Sequence, residues 1–227
     1  RNTPFIVFLV HYAGAHSTLH VHFISFVARL IIGIVLTEVA RMSFIVRVVP
    51  HQSSWRDEFE RESAKVQAQL GANVVAVHHI GSTAIPHIYA KPIIDLLVEV
   101  NSLTTVDECN VAMQSLGYEA KGEFGIPDRR YFRKDDANGY RTHHVHVFLA
   151  GSAAVDRHLA FRDYMIAHPD DAQQYSDLKR KLAAQLRPDD IEGYMDGKDA
   201  FVQTMQRRAL AWRASQKAST PDRLQAD

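Results

Sequence analysis

Apolar residues change rhythm along this chain, and the changes outline its elements. From Ser54 they recur at helical spacing, as Trp55, Phe59, Val66 and Leu70, with Asp57 and Glu58 in the first turn and Gly71 at the end. That spacing predicts a helix over about 54–70 with one face laid on a sheet. Val74 to Val77 and Ile93 to Val100 are short apolar runs with the character of buried strands. Thr105 with Glu108 forms a capping box for a second helix bearing Val106, Cys109, Met113 and Leu116, stopped by Gly117. Strands are expected over Tyr118 to Gly125, over Arg129 to Lys134, and from Tyr140 to Leu149, the last two joined by an Asn138-Gly139 turn. From Ala153 the rhythm is helical: one helix leads to His168-Pro169, another spans about Asp171 to Leu186, and a last one begins near Lys198. This order predicts an α/β (α+β) fold, a mixed β-sheet core flanked by helices with further helices at the C-terminal end, and not a regular Rossmann alternation.

Polar residues inside apolar runs mark the candidate chemistry. Strand alternation puts Asp95, Leu97 and Glu99 on one face, and a carboxylate within an apolar strand must be paired, hydrogen-bonded or metal-bound. In the later strand His144, His146 and Phe148 share a face, while Val145, Val147 and Leu149 take the other. Two imidazoles at this spacing suit joint metal binding or contact with one phosphate, and favour zinc or another transition metal over magnesium. The competing structural reading is cross-strand hydrogen bonding. Gly81 permits a sharp exit after His79-Ile80, leaving Ser82 and Thr83 to offer hydroxyl and N–H groups to a phosphate, or simply to cap a helix. Among Arg129, Arg130, Arg133 and Lys134, the favoured ligand contacts are Arg130 and Arg133, although a solvated strand would look the same. Lys91, before Pro92, orients the loop or meets phosphate.

The segments Val49-Pro50 with Trp55 and Phe59, His79-Ile80-Gly81-Ser82-Thr83-Ala84-Ile85-Pro86, Lys91-Pro92-Ile93-Ile94-Asp95, His144-Val145-His146-Val147 and Phe161-Arg162-Asp163-Tyr164 occur in that order. Together they resemble the GrpB-like family over about Phe44 to Leu210, a family related to the nucleotidyltransferase fold. The resemblance implies that Gly81 and Ser82 match the turn that holds nucleotide phosphates, and that Asp95 matches the first of two metal-binding carboxylates. Leu97 stands where the second acid would be, His87 replaces an ordinary glycine, and His78 stands where an acid is common. The implied ligands are a divalent metal (Mg²⁺, Mn²⁺ or Zn²⁺) and a nucleotide or phosphorylated small molecule. Asp95, His144 and His146 are the expected catalytic groups, with Glu99 added as a metal ligand. His79, Gly81, Ser82, Thr83, Lys91, Arg130, Arg133 and Lys179 are the expected phosphate or nucleotide contacts, Lys179 reaching phosphate from a helix face or else remaining solvated. Nucleotidyl transfer is the leading reading. A noncatalytic nucleotide-binding or regulatory module and a metal-dependent phosphohydrolase are the alternatives.

Charge narrows the partners. Lys plus Arg and Asp plus Glu number 26 each, so no bulk field draws nucleic acid or membrane, and recognition must be local. The single cysteine, Cys109, excludes an intramolecular disulfide and fits a reducing, cytoplasmic compartment. Residues 1–41 differ in kind, with apolar runs at Phe5 to Val10 and Phe23 to Val39 and no acid before Glu38. They read as an extension foreign to the natural protein, a peripheral helix, or a weak membrane element; Arg29 interrupts a stretch already short for a span. The expected organisation is this extension, a domain over 42–213, and a loose polar tail over 214–227. Oligomeric state is left open.

Overall fold

In the computed structural model of the protein the described residues are 46–219; the expected extension over 1–41 lies outside them. Helix α1 (Ser54–Leu70) buries Trp55, Val66 and Leu70 and ends at Gly71. Strands β1 (Val74–Ile80) and β2 (Ile94–Val100) follow, then the short helices α2 (Leu103–Glu108) and α3 (Asn110–Ser115), and strands β3 (Tyr118–Ala120), β4 (Arg130–Asp135) and β5 (Arg141–Leu149). Helices α4 (Ala153–Ala167), α5 (Pro169–Gln185) and α6 (Ile191–Ser219) complete the order. The strands make one mixed sheet, β1-β2-β5-β4-β3, in which β2 and β5 are the parallel central pair and the other neighbours are antiparallel.

The mixed-sheet expectation stands, with local corrections. β1 runs on to Ile80 because His78, His79 and Ile80 pair with Leu97, Leu96 and Asp95, so backbone pairing continues where the apolar pattern stops. The second helix is two: Ser102, and not Thr105, is the cap, its hydroxyl accepting from Thr105 N–H at 3.2 Å, and the chain breaks at Cys109. The strand expected to reach Gly125 stops at Ala120, since positive φ at Gly122, Phe124 and Gly125 turns the backbone away from an extended course. The last helix starts at Ile191, not near Lys198, and continues through Ser219, so the first residues of the expected tail are helical. Gly193 and Gly197 obscured that start. A Cβ on Gly197 would lie 2.5 Å from Leu182 Cδ2, so the residue that looks like a breaker is what lets α6 approach α5.

The two faces of the sheet carry different loads. Ile94, Leu96, Val98 and Val100 of β2 and Val145 and Val147 of β5 pack beneath α1, α2 and α3 in the largest core cluster. Full burial of such a side chain stabilises by about 1.5–3 kcal/mol, so this face anchors the domain. On the other face Ile80, Leu97 and Phe148 meet Val155 and Leu159 of α4, while α4, α5 and α6 share a core with Ile85 and Ile88 from the β1–β2 loop. Among the described residues no helix is long and apolar enough to cross a membrane.

Candidate functional site

Parallel pairing of β2 with β5 places Asp95 opposite His144 and Leu97 opposite His146. Alternation then turns Asp95, His144 and His146 to the face covered by α4–α6. His144 Nδ1 lies 2.9 Å, and His146 Nε2 3.8 Å, from Asp95 Oδ1. The three residues offer ligand atoms all within 4.8 Å of one another, the only such group among the described residues. Two donors on a tetrahedral ion at about 2.1 Å stand about 3.4 Å apart, a separation bracketed by the two measured ones. One carboxylate oxygen and two imidazole nitrogens fit zinc or another transition ion better than magnesium. Burial alone would push the Asp95 carboxyl up, but the hydrogen bonds and charges of His144 and His146 outweigh it and hold Asp95 well below the usual carboxylate range. Burial lowers His146, against the pull of Asp95, and its Nδ1 is buried without a partner.

Glu99, expected among the ligands, does not join them. It shares the face of Asp95 but lies four residues along the strand, about 13 Å away, where it accepts from Gly151 N–H at 3.0 Å and pairs with His78 Nε2 at 2.8 Å. Leu97, where the resemblance leads to the expectation of a second acid, is fully buried against Ile80 and Phe148. Among the described residues the cluster therefore carries a single carboxylate.

The turn after β1 is shaped around that carboxylate. Gly81 has φ 71° and ψ −172°, a conformation essentially restricted to glycine. A Cβ there would sit 2.1 Å from Asp95 Oδ2, so backbone and carboxylate can approach only because the side chain is missing. Ser82 lines the adjoining cavity. Thr83, expected as a ligand contact, is buried: its hydroxyl donates to the Ile93 carbonyl at 3.0 Å, and it lies 3.0 Å from His79 Nε2. His79 points to the other side, stacked on Phe59 of α1 with ring centroids 4.8 Å apart, and its carbonyl accepts from Arg162 Nη1. Burial pushes the His79 imidazole down to about 4. His79 and Thr83 thus brace the loop that presents Gly81 and Ser82.

Arg130 and Arg133 are also placed elsewhere than expected. Arg130 makes a two-pronged pair with Asp107 of α2, at 2.6 and 2.8 Å, and Arg133 pairs with Glu119 of β3. The arginine that reaches the cavity is Arg129, which is buried, stacks over the Tyr131 ring at 4.8 Å, and donates to the carbonyls of Glu123 and Phe124.

The cavity in front of Asp95 has a volume of about 560 Å³. Lys91, Lys179 and Lys198 line it together with Tyr175 and Tyr194. Burial lowers Lys91 and Lys198, while the charge of Asp95 raises both. Lys179 is 2% exposed, so the solvated alternative fails. Its Nζ has no hydrogen-bond partner among the described residues and stands 4.3 Å from the centre of the Tyr175 ring. Burial first, and then the charge of Lys198, push Lys179 down to about 7. His158 also lines the cavity, with Nδ1 fixed 2.6 Å from the Ala154 carbonyl and its ring 6.1 Å from that of His146. Lys198, Tyr194 and His158 were missed in the sequence. Tyr194, Lys198 and Val202 fall at i, i+4 and i+8, a signal readable only once α6 is known to begin at Ile191.

The family model described as GrpB protein matches residues 45–208. The UPF0157 protein YqkA of Bacillus subtilis is 44% identical over 168 residues, covering 74% of this chain and 48% of YqkA, so the chain spans about half the length of that relative. The crystal structure of conserved protein GrpB from Enterococcus faecalis superposes with a TM-score of 0.70 at 42% identity, over 74% of this chain and 99% of that one. A dephospho-CoA kinase of Mycobacterium leprae is 30% identical over 184 residues, 70% of this chain and 45% of that protein.

Proposed function

The chain belongs to the GrpB family, and we propose that it binds a divalent transition-metal ion together with a nucleotide or other phosphorylated small molecule, with nucleotidyl transfer as the reaction. The convergence of Asp95, His144 and His146 on one wall of a lysine-lined cavity carries this reading. When bound, the ion would supply Lewis-acid stabilisation of charge on phosphate oxygens. Asp95 and the two imidazoles would hold it, Ser82 would orient a phosphate oxygen at the mouth of the turn, and Arg129 with Lys91 would offset ligand charge. The resemblance of Gly81, Ser82 and Asp95 to the turn and first carboxylate of nucleotidyltransferases supports transfer as the chemistry. The likeness to part of a protein named dephospho-CoA kinase adds a phosphorylated coenzyme precursor to the ligands worth titrating. Free Cys109 supports a cytoplasmic setting.

Leu97 favours a second reading, a noncatalytic ligand-binding module, because a fully buried leucine removes the second carboxylate that a two-ion mechanism needs. Calorimetric titration with Zn²⁺, Mn²⁺ and Mg²⁺, each with and without ATP, CTP, GTP or UTP, tests the proposal. Metal-dependent nucleotide binding is expected, with metal affinity at least about 100-fold weaker in Asp95→Asn, since loss of even an outer-sphere partner costs 10–100-fold. Equal metal affinity in wild type and Asp95→Asn rules the site out. Nucleotide binding without turnover of any labelled nucleotide selects the module.

A further inference from the structure

A buried ammonium group is expensive unless it is paired, and an unpaired one beside a cavity asks for an anion. Lys179 of α5 is such a group: nearly inaccessible, without a hydrogen-bond partner, and aimed into the cavity that it lines. Lys198 of α6 lines the same space and its charge repels that of Lys179. Tyr175 and Tyr194, from the same two helices, add phenolic groups that burial keeps protonated and able to donate. The acids that act on Lys198 are Asp95, which is already engaged by His144 and His146, and its chain neighbour Asp199. Lys179 itself has no carboxylate partner among the described residues.

We propose that Lys179 and Lys198 form an anion subsite, distinct from the Gly81–Ser82 turn, that takes the terminal phosphate of a phosphate monoester whose other end lies toward the Asp95–His144–His146 cluster. This rests on the phosphorylated-ligand reading above and sharpens it. The α5–α6 pair, and not the turn, selects a doubly charged tetrahedral group. Two ammonium groups match a dianion, whereas a carboxylate would leave one of them uncompensated. A ligand of this kind is bipartite, with its reacting or chelating end on the sheet and its anchoring phosphate among the helices. A cavity of about 560 Å³ holds a small phosphorylated metabolite or a nucleoside monophosphate within the usual range for such sites.

Calorimetric titration of the full chain, freed of metal with a chelator, against inorganic phosphate, sulfate and acetate provides the test. Phosphate and sulfate should bind and acetate should not. Lys179→Met and Lys198→Met should each weaken phosphate binding at least tenfold, Lys179→Arg should restore most of it, and Asp95→Asn, which removes a negative charge acting on Lys198, should not weaken it. Mn²⁺ titration of the same proteins separates the two ideas. Mn²⁺ binding lost in Asp95→Asn with phosphate binding intact supports the subsite. Mn²⁺ binding without phosphate binding in wild type overturns the subsite and leaves the metal reading standing. Phosphate affinity within twofold of wild type in Lys198→Met and any folded Lys179 variant also overturns it.

Discussion

The two faces of the sheet treat buried charge in opposite ways. Beneath α1, Glu62 is 3% exposed and fully answered: Lys134 Nζ donates to one carboxylate oxygen at 2.7 Å and Lys65 Nζ to the other at 3.0 Å. Beneath α5 and α6, Lys179 is buried as deeply and, among the described residues, is met only by the face of Tyr175. On the first face charge is part of the packing. On the second, charge is held against the stability of the empty protein, as at sites that await a ligand of opposite sign. Asp95 sits on the second face yet is satisfied by histidines whose ring nitrogens are also metal donors, so its pairing is exchangeable where that of Glu62 is not.

The largest expected effect comes from joining a side chain to the turn that serves the second face. Gly81→Ala places a methyl on top of Asp95 Oδ2 and imposes a conformation that alanine avoids. Backbone strain and overpacking together should lower stability by about 2–6 kcal/mol. Metal affinity should fall with it, because Asp95 can escape the clash only by leaving its histidines. Urea unfolding and a Mn²⁺ titration check both. A stable Gly81→Ala protein with wild-type metal affinity would show that the turn yields without disturbing the carboxylate.

On the first face, Glu62→Gln should destabilise by about 3 kcal/mol at pH 7, because two ammonium groups lose their acid. Burial alone would raise the Glu62 carboxyl, but the Lys134 and Lys65 hydrogen bonds hold it at about 2, against an ordinary value of 4.5. The unfolded chain therefore takes up a proton first as pH falls. The stabilisation is complete above 4.5 and disappears as pH drops through that value toward 2. The gap between wild type and Glu62→Gln in denaturant unfolding should accordingly shrink between pH 7 and pH 3, and a constant gap would assign the loss to packing alone.

The mirror experiment on the second face has the opposite sign. With Lys179 pushed down to about 7 from 10.5, the unfolded chain binds more protons between those values. The penalty of burying the amine is full below about pH 7 and is relieved as pH rises toward 10.5. Lys179→Met should raise stability by about 2 kcal/mol at pH 6.5 and by less at pH 9. A destabilised variant would mean that Lys179 is structural, and would erase the contrast between the faces.

How much of this was legible follows from which rule placed each residue. Alternation has period two, so the shared face of His144 and His146, and that of Asp95 and Leu97, was readable from each strand alone, whereas the meeting of Asp95 with the imidazoles follows from the β2–β5 register. The same rule put Glu99 on the right face but could not supply its distance from Asp95 or its partners His78 and Gly151, which lie far off in sequence. Arg133 shares the parity of Tyr131, which does line the cavity, yet Glu119 on the neighbouring strand takes it. Its fate is a long-range pairing that periodicity does not encode. Lys198 was hidden by Gly193, which makes room for Asp190, and by Gly197, which makes room for Leu182 of α5. Lys179 was visible as a residue on a helix face, but its burial depends on how α5 packs against α6 and on Tyr175 beneath it.

The smallest effect separates the two candidate phosphate positions on the second face. Ser82 stands at the cavity edge beside Asp95, whereas the lysine pair belongs to the helices opposite. If Ser82 donates one hydrogen bond to a nucleotide phosphate, Ser82→Ala should weaken metal-dependent nucleotide binding by about 0.5–1.5 kcal/mol. Binding of inorganic phosphate to metal-free protein should be unchanged, because that anion is expected at Lys179 and Lys198. Equal losses for both ligands would merge the two positions into one. Loss for neither would return Ser82 to the turn, where its carbonyl already accepts from Ile85 N–H at 3.4 Å, and leave the helices as the whole of the phosphate recognition.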